Sequence, residues 1–148
     1  MRLTVELPVR ASRSEVWAAV FTVGGVNREL SPWMRMTDST HGAHFDAEPW
    51  RAGAPVLWQL LFGFIPVDRH RVELVALPDE RGFCESSSSW WHRVWRHERT
   101  LLDDAGGGCI VRDDVEIEPR LGVLAPIVEW TVSQMFRRRH RYLRRRFG

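Results

Sequence analysis

The chain has no lysine: all 21 basic residues among its 148 are arginine. Schiff-base chemistry and the lysine-dependent phosphate loop are therefore excluded. Cysteine is scarce, and neither Cys84 nor Cys109 has the spacing of a zinc or redox motif. Both are expected to be free thiols, since they fall two strands apart and out of row. The longest apolar stretch, Val56 to Val67, is interrupted by Gln59 and Pro66 and is too short to span a bilayer. Met1 to Arg10 lacks the apolar segment of a secretory leader, so a cytoplasmic location is expected. Nucleophile-elbow and dinucleotide glycine motifs are missing. The only close histidine pair, His41 and His44, falls in an expected loop without cysteine or acidic companions. No metal and no cofactor are expected.

What is present is a single domain's worth of chain, 1–148, with eight Trp and seven Phe against one Tyr. Aromatics in that number fill a core or line an apolar pocket. The net charge of +2 hides a split: residues 137–148 hold seven Arg and no acid, and the preceding residues are net −5. The cluster from Arg137 to Arg146 reads first as a solvated face at a helix end, favoured by the helix dipole. Its alternative is weak contact with an anionic membrane. Few aromatics accompany it, so nucleic acid is not an expected partner.

Leu3, Val5 and Leu7 alternate with polar residues as in a half-buried strand. Ser12 to Glu15 is a capping box opening a helix to about Phe21, which Gly24-Gly25 is expected to stop. A second short helix is expected over Val26 to Leu30, ending before Pro32. Extended segments follow at Val56 to Leu61, Asp68 to Leu77, Phe83 to Trp91, Val94 to Leu102 and Cys109 to Glu118, with a weaker one near Met34 to Ser39. The turns between them are expected at 38–42, 49–55, 62–66, 78–82 and 103–108. Leu124, Val128, Val132, Met135, Arg139, Leu143 and Phe147 then mark one stripe of a long C-terminal helix, with Pro126 in its first turn. This is an α+β order in which the last helix covers one sheet face and a pocket forms between them.

The element order and several strings carry a resemblance over the whole chain: Phe62-Gly-Phe-Ile-Pro66 between strands, Trp95-Arg-His97-Glu-Arg99-Thr before a glycine-rich hairpin, Asp113-Asp-Val115-Glu-Ile117-Glu-Pro119, and Arg137 to Leu143 in the last helix. The chain resembles the SRPBCC superfamily, the START and birch-pollen-allergen helix-grip fold, and within it the bacterial polyketide cyclase/dehydrase-like ligand-binding proteins. The resemblance implies a curved antiparallel sheet of about six to seven strands wrapped around a long C-terminal helix, with two short helices after the first strand. Fold does not by itself license a reaction.

Pairing across the glycine-rich hairpin sets Trp95 opposite Ile117, His97 opposite Val115, Arg99 opposite Asp113 and Leu101 opposite Val111. The register one residue away would instead set Arg99 against Arg112, which is unfavourable. A turn near His92 would place Ser89 beside Trp95, Ser87 beside His97 and Glu85 beside Arg99. The result is an expected row Glu85, Arg99, Asp113 on the concave face. Arg99 could orient a polar head group and His97 could move a proton; the competing reading makes both structural. Trp91, Trp95 and Trp58 are candidates for the pocket lining, with Trp90 and Trp91 on opposite sides. The expected ligand-binding set is Arg99, His97, Trp95, Trp91, Trp58, Glu85, Asp113 and Val115, with no catalytic residue assigned. The leading expectation is a non-enzymatic protein binding a small hydrophobic or amphipathic molecule. The alternatives are a cyclase, aromatase or dehydratase acting on a polyketide-like substrate, and an interaction protein using its basic helix.

Overall fold

The computed structural model describes residues 1–48, 50–51, 55–76 and 81–148. The turns expected at 49–55 and 78–82, and the Leu77 end of one expected strand, lie wholly or partly outside the described residues. The elements are β1 (Arg2–Val9), α1 (Arg13–Val20), α2 (Val23–Leu30), β2 (Met34–Met36), β3 (Val56–Leu61), β4 (Ile65–Arg71), β5 (Leu74–Ala76), β6 (Gly82–Ser89), β7 (His92–Asp103), β8 (Cys109–Pro119) and α3 (Ala125–Phe147). One antiparallel sheet runs β1-β8-β7-β6-β4-β3-β2, with β5 also paired to β6. It curls around α3, which gives the α+β helix-grip architecture. No helix among the described residues is long and apolar enough to cross a membrane.

The capping box forms: Ser12 accepts from the Glu15 amide, and the Glu15 carboxylate accepts from the Ser12 backbone. The glycine pair does not stop α1, however. α1 ends at Val20 with Phe21 as its C-cap, Thr22 caps the next helix, and Gly24 and Gly25 lie inside α2. Gly25 is there for a close approach, because a Cβ would meet Ala19 O at 2.6 Å and Val20 Cα at 2.7 Å. Gly25→Ala is expected to cost about 1–3 kcal/mol through overpacking. Gly24→Ala meets nothing nearer than 3.8 Å and should gain up to about 1 kcal/mol of helix propensity. Equal melting temperatures for the two variants would contradict this helix contact.

Two strand expectations are corrected. The segment expected as one strand over Asp68 to Leu77 is two, β4 and β5, which pair with different ends of β6: His70 with Ser89, and Leu74 with Glu85. The continuous path of the sheet has seven strands, within the expected six to seven, and β5 is a short addition paired to β6. The β3–β4 turn is also tighter than expected, because Phe62 and Gly63 take φ of 53° and 83° and the strand resumes at Ile65. Glycine at position 63 suits that left-handed backbone.

The β7–β8 register is the one the charges dictate: Trp95 pairs Ile117, His97 pairs Val115, Arg99 pairs Asp113 and Leu101 pairs Val111. The β6–β7 register is two residues away from expectation. Ser87 pairs Trp95, Glu85 pairs His97 and Phe83 pairs Arg99. The turn is centred on Trp91 rather than His92; moving its centre by one residue shifts the pairing by two and leaves every side chain on its expected face. The expected row Glu85, Arg99, Asp113 therefore does not form. Cys84 on β6 and Cys109 on β8 are buried free thiols with β7 between them.

The inward residues of β8 are Cys109, Val111, Asp113, Val115 and Ile117, all buried. Cys109 and Val111 join a core with Leu7, Phe21 and Leu143, whereas Val115 and Ile117 join another with Trp95, Val132 and Phe136. Asp113 sits where the two apolar clusters meet.

Candidate functional site

At that junction is a buried ion cluster. Arg99, 1% exposed, donates from Nε and Nη2 to Asp113 at 2.7 and 2.9 Å, and from Nη1 and Nη2 to Glu29 at 2.8 and 3.1 Å. Glu29 on α2 also accepts from Arg139 Nε on α3 at 2.7 Å. Asp113 is further bonded to His97 Nε2 at 2.8 Å and His140 Nε2 at 2.7 Å. Two carboxylates and two guanidiniums thus balance in charge while joining sheet, α2 and α3. Bidentate geometry of this kind is what allows buried charges to be tolerated.

Burial acts to raise the Asp113 pKa, but the Arg99 charge and the hydrogen bonds from His140, His97 and Arg99 outweigh it and hold the group well below the usual carboxylate range. Glu29 is likewise held low by Arg99 and Arg139 against its burial. Burial lowers His97 below the ordinary histidine value, although Asp113 pulls the other way. All three groups bind fewer protons folded than unfolded, so stability rises with pH across their range. The His97 contribution is complete above about pH 6.5 and declines below it. The carboxylate contributions are complete above about pH 4 and are lost as pH falls toward the lowered folded values. The urea midpoint is therefore expected to drift downward below neutrality and drop steeply in acid; a constant midpoint from pH 7 to pH 3 would contradict this cluster.

Beside the cluster lies a cavity of about 420 Å³ between the sheet and α3. Its apolar wall includes Val26, Met36, Leu57, Phe83, Trp95 and Met135, and its polar groups include Gln59, His70, Glu85, His97, Thr131 and Arg139. Glu85 Oε1 accepts from Ser87 Oγ at 2.5 Å and faces His70 Nε2 at 3.1 Å. His97 Nδ1 is 4.0 Å from Glu85 Oε2.

Of the sequence-derived set, the structure brings Glu85, Trp91, Trp95 and His97 to the cavity, and leaves Arg99, Asp113, Val115 and Trp58 off its wall. Arg99 and Asp113 saturate each other deeper in the fold, and Val115 packs with Phe136 under α3. Trp58 alternates with the inward Leu57 and Gln59, and its ring meets Trp90 edge-on at 5.2 Å. Trp90 and Trp91 occupy the β6–β7 turn, where Trp91 Nε1 donates to Val67 O at 2.7 Å. Glu29, Arg139, His70 and Gln59 were missed. Arg139 is also a correction to the solvated-face reading of the basic cluster: it is 4% exposed, while Arg137, Arg141, Arg144, Arg145 and Arg146 are exposed. Its signal was its place in the apolar stripe of α3. Among the described residues no group of three or more metal-ligating side chains converges.

Sheet, cavity and capping helix define a START-like, helix-grip fold. A START superfamily protein from Mycobacterium smegmatis aligns with a TM-score of 0.68 over 99% of this chain and 96% of its own, at 10% identity. A protein from Chromobacterium violaceum aligns with a TM-score of 0.65 over 94% of each chain, at 13% identity. DynU16, from the dynemicin biosynthetic locus, gives 0.58 over 96% of this chain and 46% of its own, at 17% identity. These similarities are of fold. The chain belongs to the family described as Domain of unknown function (DUF8410), whose model matches residues 7–147. No curated protein sequence matches it.

Proposed function

We propose that this protein binds a small hydrophobic or amphipathic molecule in the cavity between the sheet and α3. The observation that carries the reading is a concave space of about 420 Å³, within the range of small-molecule sites, with an apolar wall and a few fixed polar groups. Arg99, which the sequence suggests as the polar contact, acts in this reading as a positioning residue, holding Asp113 and through it His97. A cytoplasmic location is part of the proposal, supported by two buried free thiols. The test is native mass spectrometry of gently purified protein, followed by extraction, together with a titration of the apolar probe 1-methylanthracene read by energy transfer from tryptophan. A stoichiometric small-molecule adduct, or saturable uptake of one probe per chain, is expected. A clean protein mass with no saturable uptake would overturn the reading.

A second reading, an enzyme of the cyclase or dehydratase kind, is favoured by one feature. Asp113 orients His97 through Nε2, and His97 lines the cavity, which is how a carboxylate prepares an imidazole for proton transfer. His97→Gln separates the two: an enzyme loses turnover with its uptake of substrate kept, whereas a carrier shows no turnover in either form.

A further inference from the structure

The polar groups of the cavity wall carry information about the ligand that the apolar ones do not. His97 faces the Asp113 carboxylate through Nε2 at 2.8 Å. A carboxylate only accepts, so Nε2 carries the proton, and in the neutral ring Nδ1 is a lone pair. Burial favours that neutral form by lowering the His97 pKa. Across from Nδ1, at 4.0 Å, is Glu85 Oε2. Burial acts to raise the Glu85 pKa, but the hydrogen bonds from His70 and Ser87 favour the carboxylate, and the group stays below the ordinary glutamate value. Glu85 is therefore an ionised, acceptor-only group. Its Oε1 is already engaged by Ser87 and His70, and Oε2 has no hydrogen-bond partner among the described residues.

His97 Nδ1 and Glu85 Oε2 thus lie too far apart to bond and, both being acceptors, have no proton to share. Each is satisfied only by a donor placed between them or beside them. Gln59, on β3, adds a third acceptor: its Nε2 is 3.4 Å from His70 Nδ1, which leaves the carboxamide oxygen. The cations nearby are each already paired with a carboxylate. Arg99 is shared between Asp113 and Glu29, and Arg139, the only arginine among the described residues lining the cavity, has its Nε on Glu29.

We infer that the ligand presents a hydroxyl or amine donor to Glu85 Oε2 and His97 Nδ1, and that carboxylate-headed molecules are disfavoured by the Glu85 charge. The inference rests on the binding reading above and specifies its ligand class. The probes are three tricyclic aromatics of one shape: 1-aminoanthracene, 1-methylanthracene and 1-anthracenecarboxylate. The amine is expected to bind about tenfold more tightly than the methyl compound, the value of one hydrogen bond to a charged acceptor, and the carboxylate more weakly than both. In Glu85→Gln, which puts an amide donor beside the acceptor, the amine should lose its advantage and the carboxylate should gain.

Failure of all three probes to bind would overturn the binding reading and this inference with it. Binding of 1-methylanthracene without preference for the amine, or with the carboxylate tightest, would overturn the donor inference alone. The order measured on the unmodified chain decides the matter even if Glu85→Gln folds poorly.

Discussion

Asp113→Ala is expected to destabilise the protein by about 3–5 kcal/mol, the usual cost of leaving a buried charge unpaired. Asp113 is fully buried and accepts from Arg99, His97 and His140. Its removal strands the Arg99 guanidinium with Glu29 as its one remaining carboxylate and frees two imidazoles at the junction of both apolar clusters. For a chain of this length each kcal/mol shifts the melting temperature by roughly 2–4 °C, so a fall of roughly 6–20 °C should be seen by calorimetry. The neighbouring Asp114 faces outward and accepts from Thr4 Oγ1. Asp114→Ala should cost less than about 1 kcal/mol. Similar melting temperatures for the two variants would contradict the central place given to the ion cluster.

The largest effect on binding is expected from Val128→Trp. Val128 is half-buried on α3, lines the cavity and packs against the cluster formed by Val132 and Phe136. An indole there projects into the space the ligand would occupy. Uptake of 1-methylanthracene should weaken at least about tenfold, since the lost contact area is worth more than the ~1.4 kcal/mol that a tenfold change requires. The substitution fills a void rather than a packed site, so its stability cost should stay within the ~1–3 kcal/mol of overpacking. An equilibrium titration on the folded variant decides it, and undiminished uptake would place the binding elsewhere.

Some of this architecture is legible in the sequence because a single rule decides it. The β7–β8 register follows from Arg99, which finds Asp113 in one alignment and Arg112 in the next. The β6–β7 register is not legible in the same way, because Ser86 to Ser89 pairs acceptably in several registers and the Trp90-Trp91 turn has no glycine or proline to mark its centre. Trp58 was misplaced because β3 is apolar on both faces, so alternation says nothing about which side is inward. Glu29 was missed for a different reason. On an eight-residue helix with Arg28 beside it, a glutamate looks like any surface acid, and only the packing of α2 on α3 shows it to be fully buried. Arg139 was half visible: its position in the stripe Val132, Met135, Arg139, Leu143 marks an inward arginine, but six more arginines around it suggest a solvated face. Long-range partners of charged residues are set by tertiary contact, which local pattern does not encode.

The most direct test of the cavity as the binding site uses the four methionines. Met34, Met36 and Met135 line the cavity, while Met1, which precedes the edge strand β1 and packs against the Trp95 and Phe136 cluster, is not on its wall. With the methionine methyl groups labelled with carbon-13, saturation by 1-methylanthracene is expected to shift the Met34, Met36 and Met135 signals through the probe's ring current, with one probe per chain, and to leave Met1 in place. Saturable binding that moves Met1 and leaves the other three unmoved would show that the molecule binds on another surface and that the cavity is not the site.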